Sequence, residues 1–133
     1  MKVAELMKTD LKTVAPETIV ADALVMLAES HISGLPVLDH RGRLVGVLST
    51  TDVLQALADA PSPTDRERVF DDTFVRDIMT PRSMTVTPGT EVMEAAREML
   101  SLEVHRLFVE DHTELVGVIS QTDIVGAVAT ARV

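Results

Sequence analysis

At 133 residues the chain is of single-domain size, and its 46% hydrophobic and 25% charged residues match a folded globular protein, which excludes wholesale disorder. A net charge of −9 and a pI near 4.7 oppose phosphate backbones and anionic headgroups, excluding nucleic acid and the membrane surface as main partners. The absence of cysteine excludes disulfides, thiolate metal sites and cysteine nucleophiles.

In chain order, a short amphipathic turn, VAELM, leads to a brief extended Thr13-Val14 before Pro16. Thr18 then sits where a helix N-cap belongs, and the spacing predicts a helix over 18–30. Two strands joined by a polar turn follow in LPVLDHRGRLVGVLS, and a helix over 50–60 closes the first half. DAPSPTDRERVFDD has linker composition. The second half repeats the series: FVRDIM, Thr85-Val86 before Pro88, Thr90 as a cap, a helix over 90–102, the strands of RLFVEDHTELVGVIS, and a helix over 121–131. The most apolar stretch, IVADALVMLA, is short and carries Asp22, so it is neither a signal peptide nor a membrane span; the expected compartment is the cytoplasm.

The halves are a duplication. Shifted by 72, Val3, Met7, Thr13, Val14, Leu35 and Val37 fall on Val75, Met79, Thr85, Val86, Leu107 and Val109. Shifted by 71, LVGVLSTTD at 44–52 falls on LVGVISQTD at 115–123; the one-residue slip lies in the strand turn, where DHRGR faces DHTE. Repeat 1 spans 1–60, a linker 61–72 and repeat 2 73–133. A unit of about 60 residues has a marginal core, so the two repeats are expected to bury their sheets against each other as an α+β pseudo-dimer. The helix after Thr18 has almost no polar face, which suits either a central core helix or a homodimer contact.

Two copies of an LMK or IMT opening, T-V-x-P, HISGLPVLD or its counterpart, and LVGV(L/I)SxTD resemble the CBS domain family, named after cystathionine β-synthase, in its usual tandem arrangement. The resemblance covers essentially the whole chain. It implies two β-α-β-β-α repeats packed through their sheets with pseudo-two-fold symmetry and two clefts between them. Such modules commonly form homodimers and bind adenosine-containing ligands such as AMP, ADP, ATP or S-adenosylmethionine; they need no cofactor, and they sense and regulate rather than catalyse.

Ser49 with Asp52, and Ser120 with Asp123, have capping-box spacing, with Asp in place of Glu. The same geometry offers a ligand site. A strand running into a helix N-terminus presents unpaired N–H groups that favour phosphate, and the hydroxyls of Ser49, Thr51, Ser120 and Thr122 can add hydrogen bonds. Cap and clamp are compatible. The resemblance implies that Asp52 and Asp123 hold ribose hydroxyls. It lines the adenine slot with Thr13, Val14, Ile32, Gly34, Leu35 and Pro36, or with Thr85, Val86, Val104 and Leu107, all of them plausible core positions as well. It also gives His105 and Arg106 to phosphate, where repeat 1 has Ser33 and Gly34, so one nucleotide cleft should be the better. Phe108 stands where the family usually has Pro.

The four histidines carry no metal-ligand spacing, since His40 and His112 fall in polar turns and His31 at a helix end. Asp71 and Asp72 read as solvated linker charge, and no nucleophile-base set emerges, so no enzyme is expected. The expected function is an adenine-nucleotide sensor that transmits ligand occupancy to a regulated partner protein. The alternatives are a ligand-free structural or interaction dimer, and a regulatory piece of a larger transporter or enzyme.

Overall fold

The computed structural model describes residues 1–30, 32, 34–82 and 84–131, so the expectations for His31 and Ser33 lie outside the described residues. The order is a 3₁₀ turn Val3–Glu5, α1 Val20–Ser30, β1 Gly34–Leu38, β2 Leu44–Ser49, α2 Thr50–Asp59, α3 Pro63–Asp71, α4 Val75–Ile78, β3 Thr80–Pro81, α5 Val92–Leu102, β4 Arg106–Asp111, β5 Glu114–Ser120 and α6 Gln121–Ala131. The fold is mixed α+β, with two sheet-and-helix repeats.

The chain folds as two compact units, Lys12–Ser83 and Met1–Leu11 with Met84–Val133. Their boundaries cut across the sequence duplication, because each leader segment packs on the repeat that it does not precede. In the Lys12–Ser83 unit, β1, β2 and β3 form an antiparallel sheet, and Val14 bridges Val37 in parallel. Its core holds Val14, Ala23, Leu27, Leu35, Val37, Leu48, Val53 and, from the second leader, Val75. In the other unit β4 pairs with β5, Val86 bridges Val109, and Val3 of the first leader joins Val86, Val92, Ala95, Met99, Leu107, Val109, Ile119 and Ile124. Full burial of one such valine is worth about 1.5–3 kcal/mol, a strong reason for the leader to dock.

The docking contacts are repeat-equivalent. Val3 N–H donates to Thr90 O at 2.8 Å, and Val75 N–H to Thr18 O at 2.8 Å. Lys8 exchanges backbone hydrogen bonds with Val118 at 2.9 and 3.0 Å, while β3 pairs Thr80 with Val47 and Pro81 with Gly46. The glycine of each LVGV stretch makes this crossing feasible. A Cβ on Gly46 would lie 2.7 Å from Met79 Sδ and 2.8 Å from Thr80 O; one on Gly117 would lie 2.8 Å from Met7 Sδ and 3.0 Å from Lys8 O. The matched Met7 and Met79 lie over matched glycines.

Three local expectations change. Thr18 and Thr90 do not cap α1 and α5, which begin at Val20 and Val92; their hydroxyls accept from Ala15 N–H and Thr87 N–H, both at 3.1 Å, and so close the preceding turn. The segment 61–72, a linker by composition, contains α3. Ser62 caps that helix by accepting from Asp65 N–H at 3.2 Å, with Pro63 at its first turn. Finally, α1 is not buried all round: Val20, Ala23 and Leu27 face the core, it packs on β1 and α3, and Val25 is 53% exposed. Ser62→Ala is expected to lower stability by about 1 kcal/mol, seen as a fall of a few degrees in Tm; an unchanged Tm would show that α3 does not contribute to the unit.

The polar turn between β1 and β2 is tied by Asp39, whose carboxylate accepts from Arg43 N–H at 3.0 Å and Arg41 N–H at 2.9 Å. The Arg43 hydrogen bond, more than any other contact, holds that carboxyl below its ordinary pKa. Gly42 takes φ 77° in the same turn, a region open to glycine at no steric cost.

Candidate functional site

At the end of β2 the backbone turns into α2, and Ser49 adopts extended geometry before the helix. Its Oγ accepts from Asp52 N–H at 3.1 Å, and its own N–H donates to Asp52 Oδ2 at 2.9 Å. Ser120 and Asp123 repeat this at the head of α6 with the same distances, 3.1 and 2.9 Å. Both capping boxes therefore exist, and each commits only one carboxylate oxygen. The other oxygen faces a leader. Thr80 Oγ1 donates to Asp52 Oδ1 at 2.8 Å, whereas Lys8 Nζ lies 3.5 Å from Asp123 Oδ1. Lys8 and Thr80 are equivalent under the shift of 72.

Each compact unit holds one of the two expected residue sets. In the Lys12–Ser83 unit, Gly34 lies opposite Ser49 in the β1–β2 ladder, and Val14 N–H donates to Pro36 O at 3.1 Å, which brings the T-V-x-P segment against the strand. Thr13 and Thr51 are exposed and Ile32 half-buried. Leu35 is fully buried, so its side chain belongs to the core. Val14 and Pro36 are buried too.

In the second unit, Arg106 takes the place of Gly34, directly opposite Ser120. Burial lowers the pKa of its guanidinium. His105 is exposed, and its carbonyl accepts from Gln121 N–H at 2.9 Å; Val104 O accepts from Gln121 Nε2 at 3.4 Å, so both lie at the head of α6. Thr122 is exposed, and Val86 and Leu107 are buried. Thr85 Oγ1 donates to Glu110 Oε1 at 2.8 Å, turning that hydroxyl toward a buried carboxylate. Phe108 is buried and pairs with Val118.

The arrangement can accept hydrogen bonds from a diol at a preset carboxylate oxygen beside a helix N-terminus, once in each unit. The two versions differ in charge. Lys8 and Arg106 stand at the Asp123 version where Thr80 and Gly34 stand at the other. Lys8 and Thr80 escaped the sequence reading, although the alignment of Met7 with Met79 placed the pair one position further on. Among the described residues no three His, Cys, Asp or Glu side chains are grouped to hold a metal ion.

The family model for the CBS domain matches residues 3–59 and 75–130. The chain belongs to the CBS domain family. This CBS pair is 33% identical over 141 aligned positions to the CBS domain-containing protein CBSX1, chloroplastic, of Arabidopsis thaliana, covering 90% of the chain and 60% of the relative. It is 32% identical to an inosine-5'-monophosphate dehydrogenase of Methanocaldococcus jannaschii, covering 92% of the chain but 23% of that enzyme. The crystal structure of Arabidopsis thaliana CBSX2 in complex with AMP superposes with a TM-score of 0.84 at 30% identity, over 99% of each chain. The CBS pair thus spans about three fifths of the length of CBSX1. Among its described residues no helix is long and apolar enough to cross a membrane.

Proposed function

We propose that this CBS pair is an adenine-nucleotide-binding regulatory module without catalysis of its own, and that it passes ligand occupancy to a partner protein. The observation that carries the reading is the likeness to CBSX2 bound to AMP over 99% of both chains, combined with two capped aspartates that each keep one oxygen out of the cap. Asp52 and Asp123 would take the ribose diol, Ser49, Thr51, Ser120 and Thr122 the polar rim, and His105 and Arg106 the phosphate. A ligand biases two arrangements only by its differential affinity for them, so regulation requires the nucleotide to grip one state harder. A homodimer is part of this reading, supported by exposed Val25 on α1. The assumed compartment is the cytoplasm, where a sensor of this kind meets the nucleotide pool.

A thermal-shift series with AMP, ADP, ATP, GTP and S-adenosylmethionine tests the proposal. An adenine ligand at a hundredfold over its dissociation constant should stabilise the fold by about 2.7 kcal/mol, a rise of several degrees. No response to any adenine ligand would leave the aspartates as caps alone. The second reading, in which the pair serves as the regulatory part of a larger enzyme, has only the match to 23% of an inosine-5'-monophosphate dehydrogenase behind it.

A further inference from the structure

We propose that Lys8 makes the Asp123 site selective for phosphate-bearing adenosine ligands, while the Asp52 site, with Thr80 in the same place, accepts an uncharged nucleoside nearly as well. The inference rests on the adenine-nucleotide reading and deepens it. The Asp123 side chain is 13% exposed, with Oδ2 held by Ser120 N–H and Oδ1 3.5 Å from Lys8 Nζ. The Lys8 side chain is 72% exposed and therefore free to swing. A ribose diol that takes Oδ1 displaces this ammonium from its counter-ion. A neutral nucleoside gives nothing back, and the displaced charge must be carried by water alone. A phosphate on the same ligand gives the ammonium a new anion, so the ion pair is exchanged rather than lost.

At Asp52 the displaced group is the Thr80 hydroxyl, 2.8 Å from Oδ1. It is uncharged and exposed, and water or a ligand oxygen replaces its partner without regard to phosphate. The ladder reinforces the contrast, since Arg106 lies opposite Ser120 where Gly34 lies opposite Ser49. Because the Lys8 ammonium is solvated, its effect is modest and screened by salt.

Single-site proteins separate the two positions: Asp52→Ala leaves the Asp123 site, and Asp123→Ala leaves the other. Adenosine and AMP are titrated into each by calorimetry, with folding checked by thermal denaturation. In the Asp52→Ala protein, Lys8→Thr should cut the preference for AMP over adenosine by roughly two- to fivefold, and Lys8→Arg should preserve it. In the Asp123→Ala protein, Thr80→Lys should raise that preference. An AMP-to-adenosine ratio unmoved by Lys8→Thr, with AMP still bound, overturns this assignment alone. Failure of the unsubstituted chain to bind either ligand overturns the proposed function together with it.

Discussion

Gly46→Ala is expected to destabilise the protein by about 1–3 kcal/mol, a fall in Tm of roughly 5–10 °C. The added methyl would meet Met79 Sδ at 2.7 Å and Thr80 O at 2.8 Å. The sulfur can swing aside, because a methionine side chain has rotamers to spare. The carbonyl cannot, because Thr80 and Pro81 are paired with Val47 and Gly46 across the β2–β3 ladder. The leader must therefore lift from β2, and as it lifts the Thr80 hydroxyl leaves Asp52 Oδ1. Gly117→Ala should cost less, since the nearest backbone atom, Lys8 O, stands at 3.0 Å and the closer contact is the mobile Met7 sulfur. Urea unfolding of both variants checks the order; a Gly46→Ala protein as stable as its parent would mean that the leader is not pressed against β2.

Removing both site carboxylates should abolish stabilisation by AMP, the full 2.7 kcal/mol or so expected at a hundredfold over the dissociation constant. The difficulty is that each aspartate also caps a helix, so Asp52→Ala and Asp123→Ala will each lower Tm in the absence of ligand by about a cap's worth, near 1 kcal/mol. Ser120→Ala resolves the ambiguity. It removes the Oγ that accepts from Asp123 N–H but keeps the carboxylate, so the variant should lose a similar stability and retain the greater part of the AMP-induced shift. Equal loss of that shift in Ser120→Ala and Asp123→Ala would assign the effect to the helix terminus and not to the carboxylate.

Local order was legible wherever the signal was local. The strands of LPVLDHRGRLVGVLS and RLFVEDHTELVGVIS, the helix over 121–131 and both Ser–Asp boxes follow from apolar alternation and capping chemistry within a few residues. Helix α3 hid behind the linker composition of Pro61, Ser62 and Pro63, although Ser62 before a first-turn proline is itself a start signal. The partial cover of α1 was unreadable for the same reason, since it comes from that helix. The destination of the leaders was unreadable for another. VAELM and FVRDIM carry the same apolar spacing, and nothing in either says which repeat it will seal. The contacts of Lys8 with Asp123 and of Thr80 with Asp52 depend on that destination, so half of each candidate site was out of reach.

The exchanged leaders also determine what can be divided. Val3 closes the core that contains Ile119, and Val75 closes the core that contains Leu48. A protein severed between residues 60 and 73 would yield two fragments, each missing the lid of its own interior and carrying its sibling's. Neither fragment keeps the valine that closes its own core, whereas the contiguous stretch Lys12–Ser83 does.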